Sequence, residues 1–157
     1  MLGTPDNPEN FDADREEILD LSENLQVIYD ASNGVMHVKW NGKVSSREFK
    51  DGYFQLLRIV RIYKPFKWIL DLQNREVIGK EDKLWVFKNI FPEILRLLQR
   101  DVFMAVILPV YFYESLIDDF DGDDLIDNNN LLIIQHFLYY EESLRWLNDL
   151  ELTNATA

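Results

Sequence analysis

His37 and His136 come first among residues that could do chemistry, because imidazole titrates near neutrality and is the commonest metal ligand. Each lies in an apolar, strand-forming run with no Cys, His or acid at ligand spacing, so both read as structural and no metal is expected. The chain has no cysteine, which removes thiolate nucleophiles, thiolate metal sites and disulfides. No Gly-x-Ser-x-Gly elbow is present, and the six glycines form neither Gly-x-Gly-x-x-Gly nor a phosphate loop. From Asp119, the run Asp119-Phe-Asp121-Gly-Asp123-Asp124 has acids at the first, third and fifth positions of a calcium loop. Its sixth position is Asp124 instead of glycine and its twelfth is Asn130 instead of a bidentate glutamate, so tight calcium binding at Asp118–Asp127 is not expected. Asp71, Glu76, Glu81 and Asp82 gather beyond a strand, where α/β proteins place ligands. Asp71, Asn74 and Glu76 are the candidate loop site there, and Asp71 with Glu76 is the one pairing that suggests acid–base work. Ordinary solvation and the preference of acids for helix starts explain these residues more simply. The expectation is a protein without catalytic residues and without a cofactor.

Contact chemistry is easier to find. Arg47, Lys50, Arg58 and Arg61 lie opposite the apolar face of a predicted helix, with Phe54 among them and Ile62 just off the core stripe. Phe54, Arg58, Arg61 and Ile62 form the candidate interaction surface. Basic groups with interleaved aromatics can bind nucleic acid. The net charge of −12 argues against that partner, since phosphates would be repelled. The charge is unevenly spread: residues 1–24 carry −7, residues 25–117 carry +4 and residues 118–157 carry −9. A mildly basic body between acidic ends suits an acidic protein partner, a second copy of the chain, or the chain's own N-terminal arm; a solvated helix face is the simpler alternative.

Periodicity supplies the elements that must position these groups. Leu25–Asp30 and Val35–Trp40 alternate on either side of Ala31-Ser-Asn-Gly34 and predict a β-hairpin. Ser45 with Glu48 has capping-box spacing, and Phe49, Tyr53, Leu56, Leu57, Val60 and Tyr63 then share one helical face up to Lys64-Pro65. Lys67–Leu72 and Val102–Leu108 read as buried strands. Between them, a helix over 81–100 should kink or divide at Pro92. A helix over 110–120, an acidic loop over 121–130, a strand over 131–138 and a helix over 140–150 with Leu144, Trp146 and Leu147 inward complete the chain. Asp14–Leu21 reads as a helical turn or two. The domain occupies residues 25–150, with a partly ordered acidic arm at 1–24 and a tail at 151–157.

Composition fits this plan. Apolar residues make up 47% of the 157, enough for a real core and too many for disorder. The first residues have no basic stretch leading into an apolar run, and no apolar run is long enough to span a membrane, so a cytoplasmic protein without a membrane span is expected.

Several phrases together carry a resemblance: Trp40-Asn-Gly-Lys-Val-Ser-Ser, Lys67-Trp-Ile-Leu-Asp-Leu-Gln-Asn, Phe91-Pro92 and Phe137-Leu-Tyr-Tyr-Glu-Glu-Ser-Leu-Arg-Trp-Leu147. From about Leu25 to Leu150 the chain resembles the STAS/SpoIIAA-like superfamily, and looks closest to small stand-alone members from the Bacteroidetes group. The resemblance implies an α/β fold with a SpoIIAA-like (STAS-type) mixed sheet, helices packed on it, and the order β-β-α-β-α-β-α-β-α. It also implies a non-enzymatic, regulatory protein–protein interaction module. The superfamily's phosphorylated serine would fall in Asp71–Asp82, which has no Ser or Thr, so that switch does not carry over. A lipid-exchange branch of the superfamily makes a small apolar ligand the alternative to a protein partner or homodimer.

Overall fold

The computed structural model describes residues 16–76, 79–109, 125–127 and 129–156. Among them, seven strands form one mixed sheet in the order β1-β2-β3-β4-β5-β7-β6. The elements are β1 (Glu16–Ser22), β2 (Leu25–Asp30), β3 (Val35–Gly42), α1 (Ser46–Tyr63) and β4 (Lys67–Arg75). They continue with α2 (Lys80–Trp85), a π-helical turn (Val86–Ile90), α3 (Phe91–Leu98), β5 (Val102–Ile107), β6 (Leu125–Asp127), β7 (Asn130–Phe137) and α4 (Tyr140–Thr156). Strands β3, β4, β5 and β7 run parallel, while β1–β2, β2–β3 and β6–β7 are antiparallel.

The expected hairpin forms in register, Leu25 opposite Trp40 and Asp30 opposite Val35. Gly34 alone supplies the positive φ of its turn, at 67°. Asp30 holds that turn, accepting from the Ser32 and Asn33 amides at 3.1 and 3.3 Å.

Two expectations are corrected at the sheet's ends. Residues 16–22 form strand β1, not a helical turn: Leu19 and Leu21 pack against the core while pairing with β2 satisfies the backbone. Within the stretch read as an acidic loop, Leu125–Asp127 forms β6, turning through Asn129 at φ 71° to pair with β7. The segment read as a helix over 110–120, and most of the acidic run from Asp118, lie outside the described residues.

Helix α1 begins at Ser45 as expected, its hydroxyl accepting from the Glu48 amide at 3.1 Å. The return half of the capping box is replaced. The Glu48 carboxylate instead accepts from Asn24 Nδ2 at 2.9 Å and ties the helix start to the β1–β2 turn. At the other end Lys64 takes a left-handed conformation, φ 48°, before Pro65. The helix expected over 81–100 divides at the proline. The Phe91 amide bonds to the Val86 carbonyl, five residues back, and this widened turn seats Pro92 in the first turn of α3. Helix α4 runs past Leu150 to Thr156.

The core lies in two layers. On one face of the sheet, Phe49, Tyr53, Leu56 and Val60 of α1 and Ile94 and Leu95 of α3 pack on Val38, Trp40, Trp68, Leu70, Met104 and Val106. Trp68 donates its indole N–H to the Pro65 carbonyl at 2.7 Å. On the other face, Val35, Ile69, Ala105 and Ile107 meet Leu147 of α4, with Leu144 and Trp146 partly buried beside it. In the strands read from the sequence as buried, Trp68, Leu70, Val106 and Leu108 are buried, whereas Ile134 of β7 is only partly so because β7 lies near the sheet's edge.

Candidate functional site

The outer face of α1 follows from its helical period. Arg47, Lys50, Phe54, Arg58 and Arg61 are spaced three, four, four and three residues apart, which places them on one stripe. The apolar stripe on the opposite side is buried in the core, so the basic stripe must face outward. Phe54 is 54% exposed and Ile62 75% exposed, while Arg58 and Arg61 are exposed between them. Helix α2 extends the surface. Trp85 meets Phe54 edge to face at 5.6 Å between ring centroids and lies 5.5 Å from the Lys50 ammonium, and Leu84 is 56% exposed next to it in sequence. A shallow hollow of about 340 Å³ opens between Asp51, Phe54, Gln55 and Arg58. The candidate surface thus includes Trp85 and Leu84, which sequence reading missed. Their signal was an apolar pair at the end of a short charged helix, and only the packing of α2 against α1 relates them to Phe54.

The strand-end residues are distributed differently. Asp71 is buried on the α4 side of the sheet, where its carboxylate accepts from the Gln73 amide at 3.0 Å and lies 3.9 Å from His37 Nε2. The His37 ring stacks on Tyr140 of α4 at 5.2 Å. Asn74 and Glu76 are exposed, the latter with its amide bonded to the Gly42 carbonyl. His136 lies on β7 opposite Val106. Glu81 is exposed, and Asp82 accepts the Ser46 hydroxyl at 2.8 Å, linking α2 to the first turn of α1.

Between these groups lies Arg75, the last residue of β4, which sequence reading did not single out. It is 5% exposed, and its guanidinium carbon sits 4.6 Å from the Phe49 ring centroid and 5.4 Å from that of Trp40. Its Nε and Nη1 make no hydrogen bond. Burial holds its pKa below the ordinary arginine value, against the opposing pull of Tyr53, Asp82 and Glu48. Burial likewise raises the Tyr53 phenol from 10.0 to about 12, although the Arg75 charge lowers it. Arginine is rarely buried, and no local sequence signal separates this one from its exposed neighbours.

Among the described residues, no group of three His, Cys, Asp or Glu side chains could hold a metal ion, and no helix is long and apolar enough to cross a membrane. No family model, curated protein or solved structure matches the chain.

Proposed function

We propose that the chain is a non-enzymatic interaction domain of a cytoplasmic protein, SpoIIAA-like in type, that engages an acidic protein segment through the outer face of α1. The observation that carries this reading is the stripe Arg47–Lys50–Phe54–Arg58–Arg61, whose aromatic centre continues onto Trp85 and Leu84 of α2. Large apolar groups ringed by cations fit a partner that offers one or two apolar anchors among carboxylates. An antiparallel hairpin leading into parallel strands, with α1 and α3 on one face, supports the SpoIIAA-like assignment. The missing Ser and Thr in Asp71–Asp82 leaves the phospho-switch out of the proposal. Phe54→Ser combined with Ile62→Ser tests it. The double variant should keep the wild-type fold, losing about 1 kcal/mol with the Phe54–Trp85 contact, yet lose the partner recovered with the wild type, or lose self-association in analytical ultracentrifugation. Unchanged partner recovery and unchanged assembly would refute the proposal.

A second reading, a small-ligand domain, draws on the bare donors of Arg75 at the carboxyl end of parallel strands. It requires a ligand with an acidic head. Native mass spectrometry of freshly purified protein would then show added mass that Arg75→Met removes.

A further inference from the structure

The stripe on α1 has a candidate occupant within the chain itself. Strand β1 starts at Glu16, and the Tyr63 hydroxyl, at the last residue of α1, donates to the Glu17 carboxylate. The fifteen residues that precede β1 therefore join the sheet beside the C-terminal end of α1, where Arg61 and Ile62 lie. Their length is sufficient. Fifteen residues reach up to about 50 Å when extended, whereas the 18 residues of α1 span about 27 Å. Their chemistry is complementary as well. They carry Asp6, Glu9, Asp12 and Asp14, with Phe11 among them, against Arg47, Lys50, Arg58 and Arg61 with Phe54 among them.

We propose that residues 1–14 lie along the basic stripe of α1 and compete there with an external acidic partner. This rests on reading α1 as the contact surface and adds its regulation. A tethered segment competes at an effective concentration of about millimolar, so an incoming segment must displace it to bind. Long-range attraction between the two charge sets draws the arm back over the helix, and salt weakens that attraction.

The absence of cysteine makes the test clean, since Thr4→Cys gives one site for a nitroxide label on the full chain. The label should broaden the backbone amides of Arg47, Lys50, Phe54 and Arg58. That broadening should vanish at about 1 M salt, where the screening length falls to about 3 Å. It should vanish too when Asp6→Asn, Glu9→Gln, Asp12→Asn and Asp14→Asn are combined in the labelled chain, with circular dichroism confirming the fold. Broadening confined to the start of β1 and the neighbourhood of Tyr63 would overturn the proposal, as would broadening that survives charge neutralisation. Mixing labelled chains with separate isotope-enriched chains adds a third check: broadening between molecules would assign the stripe to a second copy and overturn the tethered arm. Each of these failures leaves the test with Phe54→Ser and Ile62→Ser untouched, so the two readings fail separately.

Discussion

Gly52 lies in the middle of α1, where alanine would ordinarily stabilise a helix by about 0.8–1.0 kcal/mol. Here the opposite is expected. A Cβ at Gly52 would fall 2.6 Å from Trp40 Cη2, 3.3 Å from Trp40 Cζ2 and 2.9 Å from Leu25 Cδ2. Carbon atoms prefer about 3.5–4.0 Å, so something must move by roughly an ångström. Leu25 offers the end of a flexible side chain. Trp40 cannot yield as easily, because it is fully buried and hemmed in by Phe49 at 5.4 Å, Tyr53 at 5.6 Å and the Arg75 guanidinium at 5.4 Å. Overpacking of this kind costs about 1–3 kcal/mol, which exceeds the gain in helix propensity. Gly52→Ala should therefore lower stability by about 1 kcal/mol, the difference of the two, in urea unfolding followed by circular dichroism. Trp40→Phe removes the two ring carbons that clash. It costs stability alone, but in combination it should make Gly52→Ala neutral or favourable, a coupling of about 1–2 kcal/mol. A Gly52→Ala variant as stable as the wild type, or a double variant whose losses simply add, would refute the close approach of α1 to Trp40.

Asp30→Ala should cost about 1 kcal/mol, since two turn amides lose their acceptor. Partial burial pulls the Asp30 carboxyl upward, but hydrogen bonds from Asn33 and Ser32 outweigh it and hold the pKa below 3.8. Its contribution is thus present above the ordinary carboxylate range and lost as pH falls through the folded value, and Asp30→Asn should flatten that acid limb of stability against pH. The raised Tyr53 phenol acts at the other extreme: its contribution is full below pH 10.0 and lost as pH rises through about 12. Tyr53→Phe should flatten part of the alkaline limb, and Tyr63, which burial and Glu17 also raise to about 12, should contribute a further part. Gln99→Gly should stabilise by up to about 1 kcal/mol, because Gln99 ends α3 in the left-handed region at φ 52° with an exposed side chain, and its melting midpoint should rise. Val106→Ala, truncating a fully buried residue of β5, should cost about 1–3 kcal/mol and lower the melting midpoint.

What could be read from the chain follows from where each signal resides. The hairpin, α1, β4, β5 and α4 carry their periodicity within themselves, so local pattern suffices. β1 does not: Glu16-Glu17-Ile18-Leu19-Asp20-Leu21 looks like the acidic start of a helix, and only its pairing with β2 makes it a strand. At three residues β6 is too short for any period to show. The proline in the 81–100 stretch announced a break, while the π-helical turn that absorbs it left no residue-level mark. Arg75 was invisible for a different reason. Its environment is built from Trp40 and Phe49, on other elements, and arginine alone predicts exposure. The basic stripe was legible because a helix face is a local property. Its continuation onto Trp85 and Leu84 was not, because that depends on how α2 docks.

The two sides of α1 are also separable in experiment, and this gives the functional proposal its force. The inner side is bound closely to the sheet: Gly52 admits Trp40, and Phe49, Leu56 and Val60 are buried with it. Changes there should appear as lost stability. On the outer side, Arg47, Phe54, Arg58, Arg61 and Ile62 are exposed. Surface changes away from caps and packed groups usually stay within about 0.5 kcal/mol, apart from the edge contact of Phe54 with Trp85. A stripe serving only as a solvated wall would tolerate Arg47→Glu, Arg58→Glu and Arg61→Glu in both stability and association. A contact surface for an acidic partner would tolerate them in stability alone, with association lost and its salt dependence abolished.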